Sequence, residues 1–227
     1  MVYGLLEWGK KNTAERIQIL SAPFLKVTLK QGVLPTRVRV RRWGRFLRKK
    51  GVTQAVLPPE FPYREELEQE GVFPVSTVRL RWEIAADWAE QQLREKNISL
   101  PEARVAVQAE VLSPEVVRTV TELALRHRYV WLSVPRGGEV LARRLSREYG
   151  VSLQLERGKG SEAVIEFYNS GEEGTAVTLR LWDETQPLPG LFLPPNQDQQ
   201  LPRGAERGQL IAALRSAGAV KQVGVER

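Results

Sequence analysis

"RVAVQAEVLSPEVVRTVTELALRHRYVWLSVPRGGEVLARRLSREYG", residues 104–150, is the stretch that decides the fold. Within it a short apolar strand pattern is followed by a helical pattern, and the same order then repeats. Ser113 and Pro114 occupy the N-cap and first helical positions of the first predicted helix, and Gly150 follows the last turn of the second. A strand–helix–strand–helix order is typical of a parallel sheet with crossover helices. We therefore predict an α/β domain in this half of the chain.

Three further strands are predicted after residue 150, in "VSLQLE", "EAVIEF" and "TAVTLRLW". The Pro-rich residues 184–204 predict a surface loop or an arm packed over the sheet. The segment "AERGQLIAALRSAG" predicts a closing helix. Because "KNISLPE" is polar and contains a proline, it predicts a domain boundary near residue 100, between residues 1–99 and residues 100–227.

The first half of the chain predicts strands mixed with short helices. The segments "RIQIL" and "FLKVTLKQG" alternate as hairpin strands do, and "VTQAVLPPEFPY" predicts a buried strand that ends in a Pro-rich bend. The segment "TRVRVRR" predicts a strand with Arg37, Arg39 and Arg41 on one face, followed by one or two helical turns in "WGRFLRKKG". A long helix is predicted after Ser76 or Thr77.

Composition excludes several classes of site and segment. The chain has no cysteine and one histidine, His127, which excludes thiolate nucleophiles, disulfides and histidine-rich metal sites, and no metal is predicted. No apolar run approaches the roughly 20 residues of a membrane helix, and the first residues lack a signal-peptide pattern. We therefore expect a cytoplasmic protein with no membrane partner.

The net charge of +7 is unevenly placed. Residues 16–59 contain 11 basic residues and no Asp or Glu, so a basic front end joins a mildly acidic body. The central part of this basic segment predicts a nucleic-acid surface, on which Trp43 or Phe46 could stack on an unpaired base. The alternative is a solvated basic edge, or one that docks on the acidic remainder or on a second subunit. The candidate contact residues are Arg37, Arg39, Arg41, Arg42, Arg45, Arg48, Lys49 and Lys50.

The order of elements from about residue 101 onward resembles the dinucleotide-binding Rossmann domain of the shikimate dehydrogenase and glutamyl-tRNA reductase type. In those families a basic residue after the second strand meets the NADP 2′-phosphate, and an A-x-x-L helix follows. Arg136 stands at that place here, and Ala142 and Leu145 supply the pattern. The resemblance implies an α/β, Rossmann-like parallel sheet with helices on both faces, preceded by a smaller α/β or α+β N-terminal domain.

The glycine fingerprint of those families is missing. Its glycines let the backbone approach the pyrophosphate at a helix N-terminus, whereas this chain has "QAEVLSPEVV" after the first strand, with no glycine. Glu110 would place negative charge near the phosphates, and Pro114 removes a backbone donor. NADP is therefore disfavoured as a cofactor, and the Lys and Asp pair that shikimate dehydrogenases use is not identifiable. The pattern predicts a fold that is kept while the cofactor site is lost or reshaped.

The turn "VPRGGEV" has two interpretations. In the first, Arg136 and the amides of Gly137 and Gly138 hold a phosphate or another anion at a helix N-terminus. In the second, the two glycines only turn the chain from strand to helix, and Glu139 supplies the acid that the helix dipole favours.

Three functions remain open on these residues. The first is a non-catalytic ligand-binding or interaction protein with a degraded dinucleotide site, whose ligand would be an anionic nucleotide held between the two halves. The second is a nucleic-acid-associated protein that uses the basic N-terminal surface. The third, an NADP-dependent oxidoreductase, is disfavoured because the chain offers neither a glycine fingerprint nor an assignable acid–base pair.

Overall fold

The computed structural model describes residues 2–30, 36–155, 160–171 and 177–226. The chain forms two compact units, Met1–Thr77 with Leu191–Val223, and Val78–Gly190 with Gly224–Arg227. The polar segment at residues 96–102, which predicts a domain boundary, lies inside the second unit.

The described residues form the following elements in chain order. The strands are β1 (Tyr3–Gly9), β2 (Thr13–Ile19), β3 (Ala22–Lys30), β4 (Gln54–Val56), β5 (Phe73–Pro74), β6 (Arg104–Gln108), β7 (Tyr129–Ser133), β8 (Ala163–Glu166), β9 (Val177–Arg180), β10 (Leu191–Phe192) and β11 (Gly224–Val225). The helices are α1 (Thr36–Lys49), α2 (Arg64–Glu68), α3 (Val78–Glu95), α4 (Pro114–Arg126), α5 (Gly138–Tyr149), α6 (Pro195–Asp198) and α7 (Arg207–Ser216).

The first unit contains a mixed five-stranded sheet in the order β2-β3-β1-β4-β5. The predicted hairpin is confirmed, because β2 pairs antiparallel with β3 from Thr13↔Thr28 to Ile19↔Ala22. Leu20 and Ser21 both have positive φ, as the central residues of a tight hairpin turn require. The first strand was not predicted from the sequence, yet β1 lies at the centre of this sheet, parallel to both β3 and β4.

The predicted strand at "TRVRVRR" is wrong, because these residues belong to α1. The Arg–Val alternation fits a period of two over five residues only. Over the whole of residues 36–49 the buried positions are Val40, Gly44 and Leu47, which have helical spacing, whereas Val38 is 63% exposed. Packing of this stripe against the core outweighs the strand preference of the two valines, and arginine itself is a good helix former.

The second unit is built on an all-parallel sheet in the order β7-β6-β8-β9. Beyond β7 the chain adds one further parallel bridge, between Trp131 and Gln154. If β6 is counted as the first strand and the Gln154 bridge as the third, the strands lie in the order 3-2-1-4-5. This is the Rossmann order, and it reverses between β6 and β8. The fold is Rossmann-like α/β, with sheets flanked by helices, as the sequence predicts.

The last predicted strands are shorter in the structure than in the sequence pattern. The segment "VSLQLE" makes two ladder hydrogen bonds at Gln154, from Leu132 N (2.8 Å) and to Val130 O (3.0 Å). Residues 156–159, and residues 172–176 before β9, lie outside the described part of the chain. In the parts that are described, no helix is both long and apolar enough to cross a membrane.

Candidate ligand site

A row of polar side chains crosses the second sheet at the carboxyl ends of its strands. Gln108 pairs with Ser133 of β7 and with Glu166 of β8, and Glu166 pairs with Arg180 of β9. Residues in register on parallel strands point to the same face, so these four side chains form one line about 14 Å long. We call Ser133, Gln108, Glu166 and Arg180 the polar row. This edge of an α/β sheet, at the point where strand order reverses, is where such folds bind ligands.

The two central members of the polar row are buried. Gln108 is 9% exposed, and its Oε1 has no hydrogen-bond partner among the described residues. Glu166 is 3% exposed, its Oε1 accepts a hydrogen bond from Ser170 Oγ (2.6 Å), and its Oε2 lies 3.8 Å from Arg180 Nε. A buried polar atom without a partner is uncommon and costs free energy. The centre of the row therefore holds one acceptor without a partner, Gln108 Oε1, beside a carboxylate whose oxygens contact Ser170 and Arg180.

The N-terminus of α4, where the pyrophosphate of a dinucleotide would lie, is closed by the chain itself. Ser113 is the N-cap, as predicted, and its Oγ accepts from Val116 N (3.3 Å). Hydrogen bonds from its own backbone N–H and from the Ser113 hydroxyl lower the pKa of Glu115, and Arg118 and Arg79 lower it further. The helix end thus carries a carboxylate and a proline without a backbone N–H, where a phosphate needs positive potential and free donors.

The lowered pKa of Glu115 predicts a contribution to acid sensitivity. A carboxyl group whose pKa is lower in the folded than in the unfolded state stabilises the fold above its ordinary pKa of 4.5, and this stabilisation is lost as pH falls through the folded value. We expect Glu115→Gln to lose less stability than the wild type when urea unfolding is compared at pH 6 and pH 3. Glu110→Gln, on the loop before α4, is the control, and equal losses in wild type and Glu115→Gln would contradict the prediction.

The glycines of the "VPRGGEV" turn have a geometric explanation. Gly137 is the N-cap of α5 with φ 87°, and a Cβ there would lie 3.2 Å from Leu112 Cδ2. A Cβ on Gly138 would lie 3.2 Å from atoms of both Leu155 and Val134. The turn therefore needs glycine both for its left-handed backbone and for close approach of neighbouring side chains.

Arg136 is exposed immediately before this turn, and no side chain caps the N-terminus of α5. Since β7 ends at Ser133, Arg136 and the two glycines follow the same carboxyl edge that carries the polar row. Anion binding by these three residues stays a prediction.

A concave feature that the sequence did not predict lies at the opposite edge of the sheet. It is a cavity of about 860 Å³ at the amino ends of the strands, whose lining includes Arg104, His127, Tyr129 and Glu162. Two of its polar groups hydrogen-bond to the protein, whereas the buried His127 Nε2 has no hydrogen-bond partner among the described residues and lies 3.7 Å from Glu90 Oε1. Glu162 Oε2 accepts from Arg104 N (2.7 Å), and His127, which is buried, has its Nδ1 2.9 Å from the Leu100 carbonyl. His127 thus has a structural role in joining the end of α4 to the loop before β6.

The predicted basic surface lies on α1, and part of it is neutralised within the first unit. Arg37 Nε lies 3.1 Å from Glu66 Oε1, and Arg45 Nε lies 3.4 Å from Glu70 Oε2. Arg39 and Arg41 donate to Lys30 O (2.7 Å) and Gln69 Oε1 (2.8 Å), respectively.

The two aromatic rings predicted to stack on bases are partly buried against the core. Trp43 and Phe46 pack on the hydrophobic cluster of the first unit and meet edge to face, with their ring centroids 5.3 Å apart. Both rings therefore contribute to the packing of α1.

No group of three or more His, Asp or Glu side chains that could hold a metal ion occurs in the described ranges.

Reasoning from the sequence missed the polar row, although a signal for it exists. Each strand pattern carries a polar residue near its carboxyl end, at Gln108, Ser133, Glu166 and Arg180, although the predicted patterns "EAVIEF" and "TAVTLRLW" continue past it. Strand register was needed to show that these ends meet.

Comparison with known proteins adds little. No family model matches the chain, and no curated protein matches its sequence. Among solved structures it is similar to L-tryptophan dehydrogenase from Nostoc punctiforme, with 14% identity and a TM-score of 0.28 over 64% of this chain and 44% of that one. It is also similar to ornithine transcarbamoylase from Giardia lamblia, with 8% identity and a TM-score of 0.26 over 72% of this chain and 61% of that one. The matched regions span less than two thirds of the length of either solved structure. The Rossmann-like fold is shown by strand order.

Proposed function

We propose that this protein is a non-catalytic ligand-binding protein that takes a small ligand at the carboxyl edge of its parallel sheet. The observation that carries the proposal is the buried Gln108 Oε1, which lacks a partner among the described residues and stands beside the buried Glu166 carboxylate. An unsatisfied buried acceptor lowers stability, and a ligand that donates a hydrogen bond to it at the strand-order reversal would offset that cost.

The chemistry of this edge defines the ligand class. Gln108 Oε1 and Glu166 accept hydrogen bonds, so the part of the ligand beside them carries N–H or O–H donors. Arg136 and the uncapped N-terminus of α5 favour an anionic group at the other end. Trp131 and Val164 are half-buried and lie two residues before Ser133 on β7 and Glu166 on β8. They would contact an apolar or planar part of the ligand. A nucleoside monophosphate combines these features.

A dinucleotide fits this edge less well than a mononucleotide. At the N-terminus of α4, which follows the first strand of the Rossmann-like sheet, a pyrophosphate would need free backbone N–H groups. Pro114 and Glu115 stand there instead. Hydride transfer between NADP and a substrate is therefore the function that these residues support least.

Ligand binding is tested by the melting temperature of the full chain with millimolar AMP, GMP, CMP, UMP or NADPH, followed by calorimetry. We expect a rise with at least one mononucleotide that exceeds the rise with NADPH. Glu166→Gln and Arg136→Glu should each weaken binding about tenfold, because each removes a charge-assisted contact. Arg147→Glu, at the far end of α5, is the matched control and should bind as the wild type does. Absence of a shift with all mononucleotides would overturn the assignment.

Gln108→Leu separates binding from folding. Replacing an unpartnered buried amide by an apolar group of similar size should leave the free energy of unfolding unchanged or raise it by about 1 kcal/mol. The same substitution should lower mononucleotide affinity. Urea unfolding and calorimetry on one preparation measure both, and loss of stability without loss of affinity would mean that Gln108 is structural.

A further inference from the structure

One face of α1 presents one valine and three basic residues to solvent. The buried stripe of the helix is Val40, Gly44 and Leu47. The residues on the opposite side are spaced at i, i+4, i+7 and i+11, and all of them are exposed. These residues, which we call the ridge, are Val38, Arg42, Arg45 and Lys49.

The ridge differs from the flank of α1 that faces α2. On that flank Arg37 pairs with Glu66 and Arg41 hydrogen-bonds to Gln69, so its charges have partners inside the unit. Arg45 lies between the two sides, with its side chain 62% exposed and its Nε 3.4 Å from Glu70. Arg42 and Lys49 make no ion pair with any described residue.

The charge pattern of α1 opposes helix formation. The helix has no acidic residue in its first turn, where the helix dipole favours one, and carries Arg37 and Arg39 there instead. Like charges also recur at i, i+3 and i, i+4, from Arg42 to Arg45 and from Arg45 to Lys49. A surface whose charges oppose local helix stability is the kind of departure from local preference that a binding role explains.

We propose that the ridge binds the phosphate backbone of nucleic acid without stacking on bases. A polyanion complements side chains that carry charge of one sign at regular spacing. Trp43 and Phe46 pack on the core, so base stacking, the usual source of single-strand preference, is not supplied by α1. The apolar stripe is buried too, which argues against a membrane surface, because an interfacial helix inserts its apolar face into lipid. This inference concerns the first unit and does not rest on the ligand proposed for the second.

The test is fluorescence anisotropy of the full chain with a labelled mixed-sequence 20-base-pair DNA duplex across a salt series. Three phosphate contacts, from Arg42, Arg45 and Lys49, predict a slope of log K against log salt of about −2.7. The double variant Arg42→Glu/Lys49→Glu should weaken binding at least tenfold and flatten the slope, and Arg42→Gln/Lys49→Gln should have an intermediate effect. The matched control is Arg143→Glu/Arg147→Glu, which reverses two exposed charges on α5 and should bind as the wild type does.

Melting temperature distinguishes loss of the surface from loss of the fold. The ridge variant removes like-charge repulsion within α1, so its melting temperature should equal or exceed that of the wild type. Weakened DNA binding at an unchanged melting temperature supports the proposal. No duplex binding at 20 mM salt would overturn it, as would an equal loss in the α5 control. Tighter binding to phosphatidylserine vesicles than to DNA would assign the ridge to a membrane surface and also overturn it.

Discussion

Replacing Arg81 by Met is expected to lower the free energy of unfolding by about 3 kcal/mol. Arg81 is 2% exposed on α3, which makes its side chain one of the largest that the second unit buries completely. Its Nη2 donates to the carbonyls of Gln186 (2.6 Å) and Glu184 (3.3 Å), in the segment that follows β9. Its guanidinium also lies 5.6 Å from the centre of the Trp88 ring.

Two physical terms act against each other at this position. Removing a buried charge relieves its desolvation, which favours the methionine variant. The variant also leaves the partly buried carbonyls of residues 184 and 186 without their charged donor, and it loses the cation–π contact. Because hydrogen bonds from a charged donor contribute about 1.5–3 kcal/mol each, we expect the loss to exceed the relief.

Urea unfolding followed by tryptophan fluorescence measures this effect. Arg79→Met is the matched control, since Arg79 is exposed two residues earlier on the same helix. It should change the free energy of unfolding by less than about 0.5 kcal/mol, which is usual for a surface substitution. If Arg81→Met costs no more than Arg79→Met, the buried guanidinium does not hold the segment after β9.

The parallel sheet could be predicted because each of its elements carries a local signal. The strands at Val105 and Val130 are short and apolar, and Ser113 marks the start of a helix by its own side chain. Such signals depend on residues a few positions apart and survive in any tertiary context. Chain order then limits the topology, because parallel neighbours need crossover connections.

The helix α1 could not be predicted in the same way, since two periods compete in its sequence. Val38 and Val40 alternate with arginines as a strand face does, yet only Val40 enters the core. The decision is made by Leu47 and by the hydrophobic cluster around it, which are tertiary facts. The strand β1 was missed for a related reason, because burial of both its faces erases alternation.

The polar row could not be predicted as a site from local patterns either. The sequence shows Gln108 and Glu166 58 positions apart, each as one polar residue at the end of an apolar run. Only register brings them side by side, and only burial shows that Gln108 Oε1 lacks a partner. The anion hypothesis at Arg136 came from a local pattern, and the same turn now has a packing explanation that can be measured.

Replacing Gly137 by Ala is expected to lower the free energy of unfolding by about 2 kcal/mol, against about 1 kcal/mol for Gly150→Ala. Both glycines lie at the ends of α5 with positive φ, 87° and 69°, so an alanine at either position meets the same kind of backbone penalty. They differ in surroundings, because a Cβ at position 137 would lie 3.2 Å from Leu112, whereas nothing lies within 4 Å of one at position 150.

The difference between the two variants therefore measures the packing role of the turn together with the effect of ψ, which is −13° at position 137 and 14° at position 150. Urea unfolding of both variants gives that difference. A second comparison sets the double variant Leu112→Ala/Gly137→Ala against Leu112→Ala alone. In this background alanine at position 137 should cost no more than alanine at position 150. If Gly137→Ala and Gly150→Ala cost the same, Leu112 does not restrict the turn. The glycine would then be needed only for its backbone, and the space beside it would be open to the anionic group of a ligand.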